Sequence, residues 1–239
     1  MIGNWFKASG KRENKNYNKR KNGLARVSLG PVPVETRLEH TRFTVLDFET
    51  TGLNIRKDVP ISIGAISIYH NKIELGNQFE YIIYQPQVKP GEATLVHGVS
   101  PEEIEQGKDL TDALIEFYEY AENTVLIAFH APFDKAILDR ATKAKFNCQA
   151  KHHFLDAYDV GLAFFPEQGK RLKGLDNWAK SFGLDVEIDR HHASADALMT
   201  AELMLIFLAK AQSQGIHTLG QFLRKMEQSL RLSSVQHSL

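Results

Sequence analysis

The run Phe43–Glu49, FTVLDFE, ends an apolar stretch on two carboxylates. A run this short and apolar, closed by the turn signal Thr50-Thr51-Gly52, reads as a buried strand. Alternate side chains of a strand share a face, so Asp47 and Glu49 point the same way. Neighbouring carboxylates repel and lose solvation unless a cation lies between them. The chain must therefore build a sheet around this strand and find a use for paired negative charge at its end.

The rest of the sequence supplies such a sheet. Pro60–His70 alternates and reads as a second strand, and Lys72–Tyr84 as a third, with Asn71 at the hairpin turn. Ser100-Pro101-Glu102-Glu103 has an N-cap, a proline at N1 and a glutamate at N3, which starts a helix. Leu110–Ala121, Pro132–Phe146, Asp156–Phe165, Leu175–Phe182, Ala195–Ala211 and His217–Leu232 read as further helices. Val125–Phe129 and His153–Leu155 read as the fourth and fifth strands. Strands followed by alternating helices and strands argue for an α/β sheet covered on both faces.

Charge divides the chain. The total is zero, yet the first 30 residues carry eight lysines and arginines against Glu13 alone, net +7, leaving −7 elsewhere. We read residues 1–40 as a basic N-terminal arm, 41–212 as the main domain and 213–239 as a C-terminal helical extension. The arm suits phosphate backbones or acidic lipid; its other reading is a solvated tail. A single cysteine, Cys148, excludes an internal disulfide framework and a cysteine-rich zinc module. No apolar run reaches the length needed to cross a bilayer, and the N-terminus lacks the apolar core of a secretory signal, so the expected location is the cytoplasm.

Two further motifs place acids at element edges. In Ala131-Pro132-Phe133-Asp134, Asp134 lies in the first turn of a helix that follows an apolar strand. In His191-His192-Ala193-Ser194-Ala195-Asp196, a loop histidine precedes a helix with Asp196 in its first turn. Each alone has an ordinary reading, such as a helix-start aspartate favoured by the macrodipole. Together, four carboxylates can hold two hard divalent cations, which activate water and steady a leaving oxygen. A histidine suits abstraction of the water's proton near neutral pH.

These motifs, in this order, resemble those of the DEDDh 3′→5′ exonucleases, the family that holds the proofreading epsilon subunits of bacterial DNA polymerase III and their free-standing relatives. The resemblance runs from about Phe43 to Leu208. It includes Val96-His97-Gly98-Val99-Ser100 and Leu172–Leu184 between the motifs. It implies a ribonuclease H-like fold, with a central five-stranded mixed sheet and helices on both faces. It implies two Mg²⁺ or Mn²⁺ ions on Asp47, Glu49, Asp134 and Asp196, with His191 as general base. The sister family has a tyrosine four residues before the last aspartate; here that position is His192. Thr50, Thr51 and Gly52 would meet the 3′-terminal nucleotide, Leu53 would wedge against its base, and His97 would line the cleft. The family's His-Asn pair before Ala-x-Phe-Asp is Phe129-His130 here, a departure that bears on substrate grip, where His130 is expected, and leaves the catalytic carboxylates untouched.

The expected activity is release of nucleoside monophosphates from the 3′ ends of mainly single-stranded DNA. The expected partner is thus a nucleic-acid 3′ end, DNA favoured and RNA possible, with no membrane. A polymerase partner is left open, and the chain is read as a monomer or homodimer. The alternatives are an RNA-trimming or short-oligonucleotide exoribonuclease of the same superfamily, and a catalytically silent accessory module. Elsewhere, Trp178 and Phe182 read as core, Asp156 as an N-cap, and His152, His153 and Cys148 as structural. Lys170, Arg171 and Lys173 form a basic loop, either solvated or near the strand.

Overall fold

In the computed structural model, the described residues are 29–86, 99–184 and 192–236, with side chains described as far as 232. Five strands form one sheet: β1 (Arg42–Thr50), β2 (Pro60–Tyr69), β3 (Lys72–Ile82), β4 (Thr124–Ala128) and β5 (Phe154–Asp156). Their order is β3-β2-β1-β4-β5. β2 pairs antiparallel with β1 and β3, whereas β1, β4 and β5 run parallel. His70 and Asn71 take positive φ angles of 50° and 57° in the β2–β3 turn, as a tight hairpin requires.

The helices are α1 (Pro101–Glu105), α2 (Leu110–Tyr120), α3 (Pro132–Phe146), α4 (Ala157–Phe164), α5 (Pro166–Gly169), α6 (Leu175–Ser181), α7 (Ala193–Ser213) and α8 (Leu219–Gln236). Strand parity sorts them into two layers. Phe43 and Val45 of β1 join Ile66 and Ile68 of β2 in a core with α4, α6, α7 and α8, where Trp178 and Phe207 are fully buried. Leu46 and Phe48 point the other way, with Ile63 and Ala65, into a core closed by α2 and α3. This is the mixed five-stranded sheet with helices on both faces, of ribonuclease H-like type, expected from the sequence.

Local chemistry sets several element ends. Ser100 accepts from Glu103 N while the Glu103 carboxylate accepts from Ser100 N, a complete capping box. Asp109 caps α2 by accepting from Thr111 N at 2.8 Å. Asn147 ends α3 in the left-handed conformation. Asp156 caps α4 as expected, and it also ends β5, so this strand finishes one residue later than the apolar pattern suggests. No helix among the described residues is long and apolar enough to cross a membrane.

Candidate active site

β1 is buried along most of its length, with Asp47 only partly covered. Asp47 and Glu49 continue the parity of Phe43 and Val45, so they face the layer that holds α7. Asp196 lies in the first turn of α7. The three side chains meet: Asp47, Glu49 and Asp196 each offer a carboxylate oxygen, all within 4.8 Å of one another. Asp47 and Asp196 are half-buried, and Glu49 is 8% exposed.

One glycine admits α7 to this position. Gly64 of β2 pairs with Asp47. A Cβ on Gly64 would stand 2.2 Å from Ser194 N and 2.3 Å from the Ala193 carbonyl carbon. The backbone of the α7 N-terminus thus rests on the sheet where only glycine leaves room. Ser194 Oγ donates to Glu80 Oε1 of β3 at 2.8 Å, tying the same turn to the sheet edge. Neither Gly64 nor Glu80 stood out in the sequence. An isolated glycine inside an apolar strand was the one signal for Gly64; Glu80 had none.

Asp134 arrives from the other layer. It sits in the first turn of α3, 4% exposed, and its Oδ1 accepts from Phe48 N at 3.0 Å. It is therefore fixed to the peptide between Asp47 and Glu49, without belonging to the three-carboxylate cluster itself. Burial raises its pKa well above the usual carboxylate range. The amides of Phe48 and of Asp134 itself oppose that rise, while the negative charges of Asp156 and Glu49 add to it.

Beside it, the turn from β4 into α3 is held by Asp156. Its Oδ1 accepts from His130 N at 3.0 Å and from Tyr158 N at 2.9 Å. His130 takes a left-handed φ of 58° there. Its ring is exposed, bonded through Nε2 to the Lys173 carbonyl at 2.9 Å and set against the Tyr158 ring. The basic loop is thereby joined to the motif around Asp134 through the backbone of Lys173. Burial first, then Asp159, raises the Asp156 pKa to about 6.

Thr50, Thr51 and Gly52 run out of β1 into the loop toward β2, and Leu53 is 88% exposed at its tip. His97 and His191 lie outside the described residues. Their neighbours Val99 and His192 line a groove of about 710 Å³ with Ser62, Glu80, Glu103 and Lys108. Ser62, at one edge of this groove, is the register partner of Glu49.

The model of the exonuclease family, RNase T type, matches residues 44–204. The chain is 28% identical over 204 residues to the DNA polymerase III subunit epsilon of Treponema pallidum, covering 84% of this chain and 94% of that one. It is 30% identical over 197 residues to the PolC-type DNA polymerase III of Bacillus subtilis. There it covers 80% of this chain but only 13% of the much longer relative. Among solved structures, E. coli exonuclease I in complex with a dA16 oligonucleotide superposes with a TM-score of 0.60 at 17% identity, over 73% of this chain and 42% of that chain. Exonuclease X in complex with 5′-overhanging duplex DNA gives 0.59 at 16% identity, over 77% of this chain and 99% of that chain. At such identities the likeness to the solved structures is one of fold.

Proposed function

Since the chain belongs to the exonuclease family, we propose that it is a DEDDh-type 3′→5′ exonuclease that releases nucleoside monophosphates from single-stranded DNA ends. The observation that carries this reading is the convergence of Asp47, Glu49 and Asp196 from a strand end and a helix start. Three carboxylates this close, one of them nearly buried, repel strongly unless a cation neutralises them. Their all-oxygen donor set suits Mg²⁺ or Mn²⁺. Asp47, Glu49 and Asp196 would hold the ions, with Asp134 completing the set. When bound, two such ions lower the pKa of a water and offset charge developing on the phosphate.

The chain's own residues supply the rest. Asp134, pinned by Phe48 N, keeps its carboxyl at the end of β1. His191, at the start of the third motif, would accept the proton of the attacking water. Thr50, Thr51, Gly52 and Leu53 would meet the terminal nucleotide, and His97 would line the cleft. His130 would act on substrate grip through the Lys173 loop to which it is bonded.

The test uses 5′-labelled single-stranded DNA and the matching RNA, each incubated with Mg²⁺ or Mn²⁺. The Asp47→Ala variant and EDTA serve as controls. The expected result is a ladder that shortens from the 3′ end and vanishes in both controls, faster on DNA. A faster RNA ladder would reassign the substrate to the exoribonuclease alternative. Binding without any ladder would favour the silent accessory module.

A further inference from the structure

The loop that follows β1 is built around a residue that none of the three motifs contains. Asp58 Oδ1 accepts from Thr51 Oγ1 at 3.1 Å, and Asp58 Oδ2 accepts from Asn54 N at 2.6 Å. Thr51 Oγ1 in turn accepts from Val59 N at 3.1 Å, and Thr51 N donates to the Val59 carbonyl at 3.0 Å. Asp58 N closes the turn by donating to the Asn54 carbonyl at 2.8 Å. One carboxylate therefore ties the first residues of the loop to its last ones.

The same carboxylate packs against Gly52. A Cβ at Gly52 would stand 2.8 Å from Asp58 Oδ2 and 3.1 Å from its Cγ. The space a side chain needs there is filled by Asp58. From the far side, Arg140 of α3 donates through Nη2 to the Asp58 carbonyl. α3 is the helix that carries Asp134. The loop is thus braced internally by the Asp58 side chain and externally, through the Asp58 backbone, by a metal-site helix. Leu53, at 88% exposure, is held out at the tip of this brace rather than packed against the body.

We propose that Asp58 is a positioning residue for substrate: it pre-forms the Thr51–Gly52–Leu53 segment against which a 3′-terminal nucleotide is held, and Arg140 registers that segment to α3. The proposal rests on the exonuclease reading above and deepens it. Asp58 touches none of the cluster carboxylates through the bonds described, so its effect falls on strand binding and not on the ions or the hydrolytic step. Preorganised loops give affinity because the ordering cost is met before binding.

The test compares Asp58→Ala, Asp58→Asn and Arg140→Met with the wild-type chain. Turnover of a 5′-fluorescein single-stranded DNA in Mn²⁺ gives kcat and KM. Anisotropy of the same DNA in Ca²⁺ gives Kd without turnover, and calorimetry gives Mn²⁺ affinity without DNA. Asp58→Ala is expected to raise KM and Kd about tenfold, the factor that one charge-assisted hydrogen bond is worth. kcat should stay within about twofold and Mn²⁺ affinity should not change. Asp58→Asn should recover most of the loss, because its amide can accept from Asn54 N and donate to Thr51 Oγ1. Arg140→Met should act in the same direction but less, and it carries the test if Asp58→Ala does not fold. Unchanged KM and Kd would overturn the proposal. So would a fall in Mn²⁺ affinity and kcat together. A wild-type chain without turnover would overturn the exonuclease reading instead, and the anisotropy arm would still decide the role of Asp58.

Discussion

Asp134 sits in a place where ionisation is costly. It is almost fully buried, faces the charges of Glu49 and Asp156, and keeps its proton to higher pH than a free carboxyl. The sign of the consequence follows from linkage. A carboxyl with a raised folded-state pKa holds its proton in the native chain after the unfolded chain has lost it. Native stability is then full below the ordinary carboxylate value of about 4 and falls as pH rises toward the raised value. Asp156, raised to about 6, adds to the same slope. In metal-free protein the melting temperature is expected to drop between about pH 4 and 7. Asp134→Asn should flatten that drop and raise the melting temperature at neutral pH by a few degrees, as differential calorimetry would show. A steeper drop in this variant would mean that Asp134 is ionised and paired. The same substitution should cost orders of magnitude in nuclease rate, as should Asp47→Ala, with circular dichroism unchanged. Wild-type rate in Asp47→Ala would remove the cluster from the chemistry.

At the scale of elements, the site depends on how closely α7 approaches the sheet. Gly64→Ala would put a methyl group into backbone at Ser194, and neither the strand nor the helix start can yield freely. We expect a loss of about 2–4 kcal/mol in denaturant unfolding. Survivors should lose on the order of 10²-fold in rate, since a 1 Å misplacement of a reacting group costs about that much. Wild-type rate in Gly64→Ala would show that Asp196 does not need this approach. These dependencies divide what the sequence shows from what it hides. Strand parity sets Asp47 and Glu49 on one face, and a helix start sets Asp196 in a first turn; both are local, and both were legible. Gly64 and Glu80 matter only through α7, which reaches them from elsewhere in the chain, and Asp58 closes its own loop in a way that no periodicity announces. No period or capping signal reports which helix crosses which strand. Asp134 shows the middle case: its helix and turn were legible, but its bond to Phe48 N, and the burial that follows from it, are tertiary.

The whole molecule is neutral only because two unlike parts cancel. The first 30 residues carry net +7 and the remainder −7, with carboxylates of the acidic part gathered at the site. A negatively charged body repels a polyanionic strand, and the carboxylate cluster adds to that repulsion where, on the proposed reading, the 3′ end would come. Divalent ions at the cluster would relieve part of it. A basic arm would supply the complementary attraction, releasing counterions for each phosphate it neutralised. We therefore expect deletion of residues 1–28 to weaken binding of single-stranded DNA uniformly across sequences. It should also flatten the plot of log binding constant against log salt by about 0.7 for each phosphate that the arm would neutralise. The measurement is anisotropy titration in Ca²⁺ from low to physiological salt, with the deletion variant and the 239-residue chain side by side. Because the arm would act on strand recruitment and not on the carboxylate cluster, kcat at saturating DNA should not change. An unchanged salt slope would reduce the arm to a solvated tail. It would leave the acidic body to recruit nucleic acid through its metal ions and the loop beyond β1 alone.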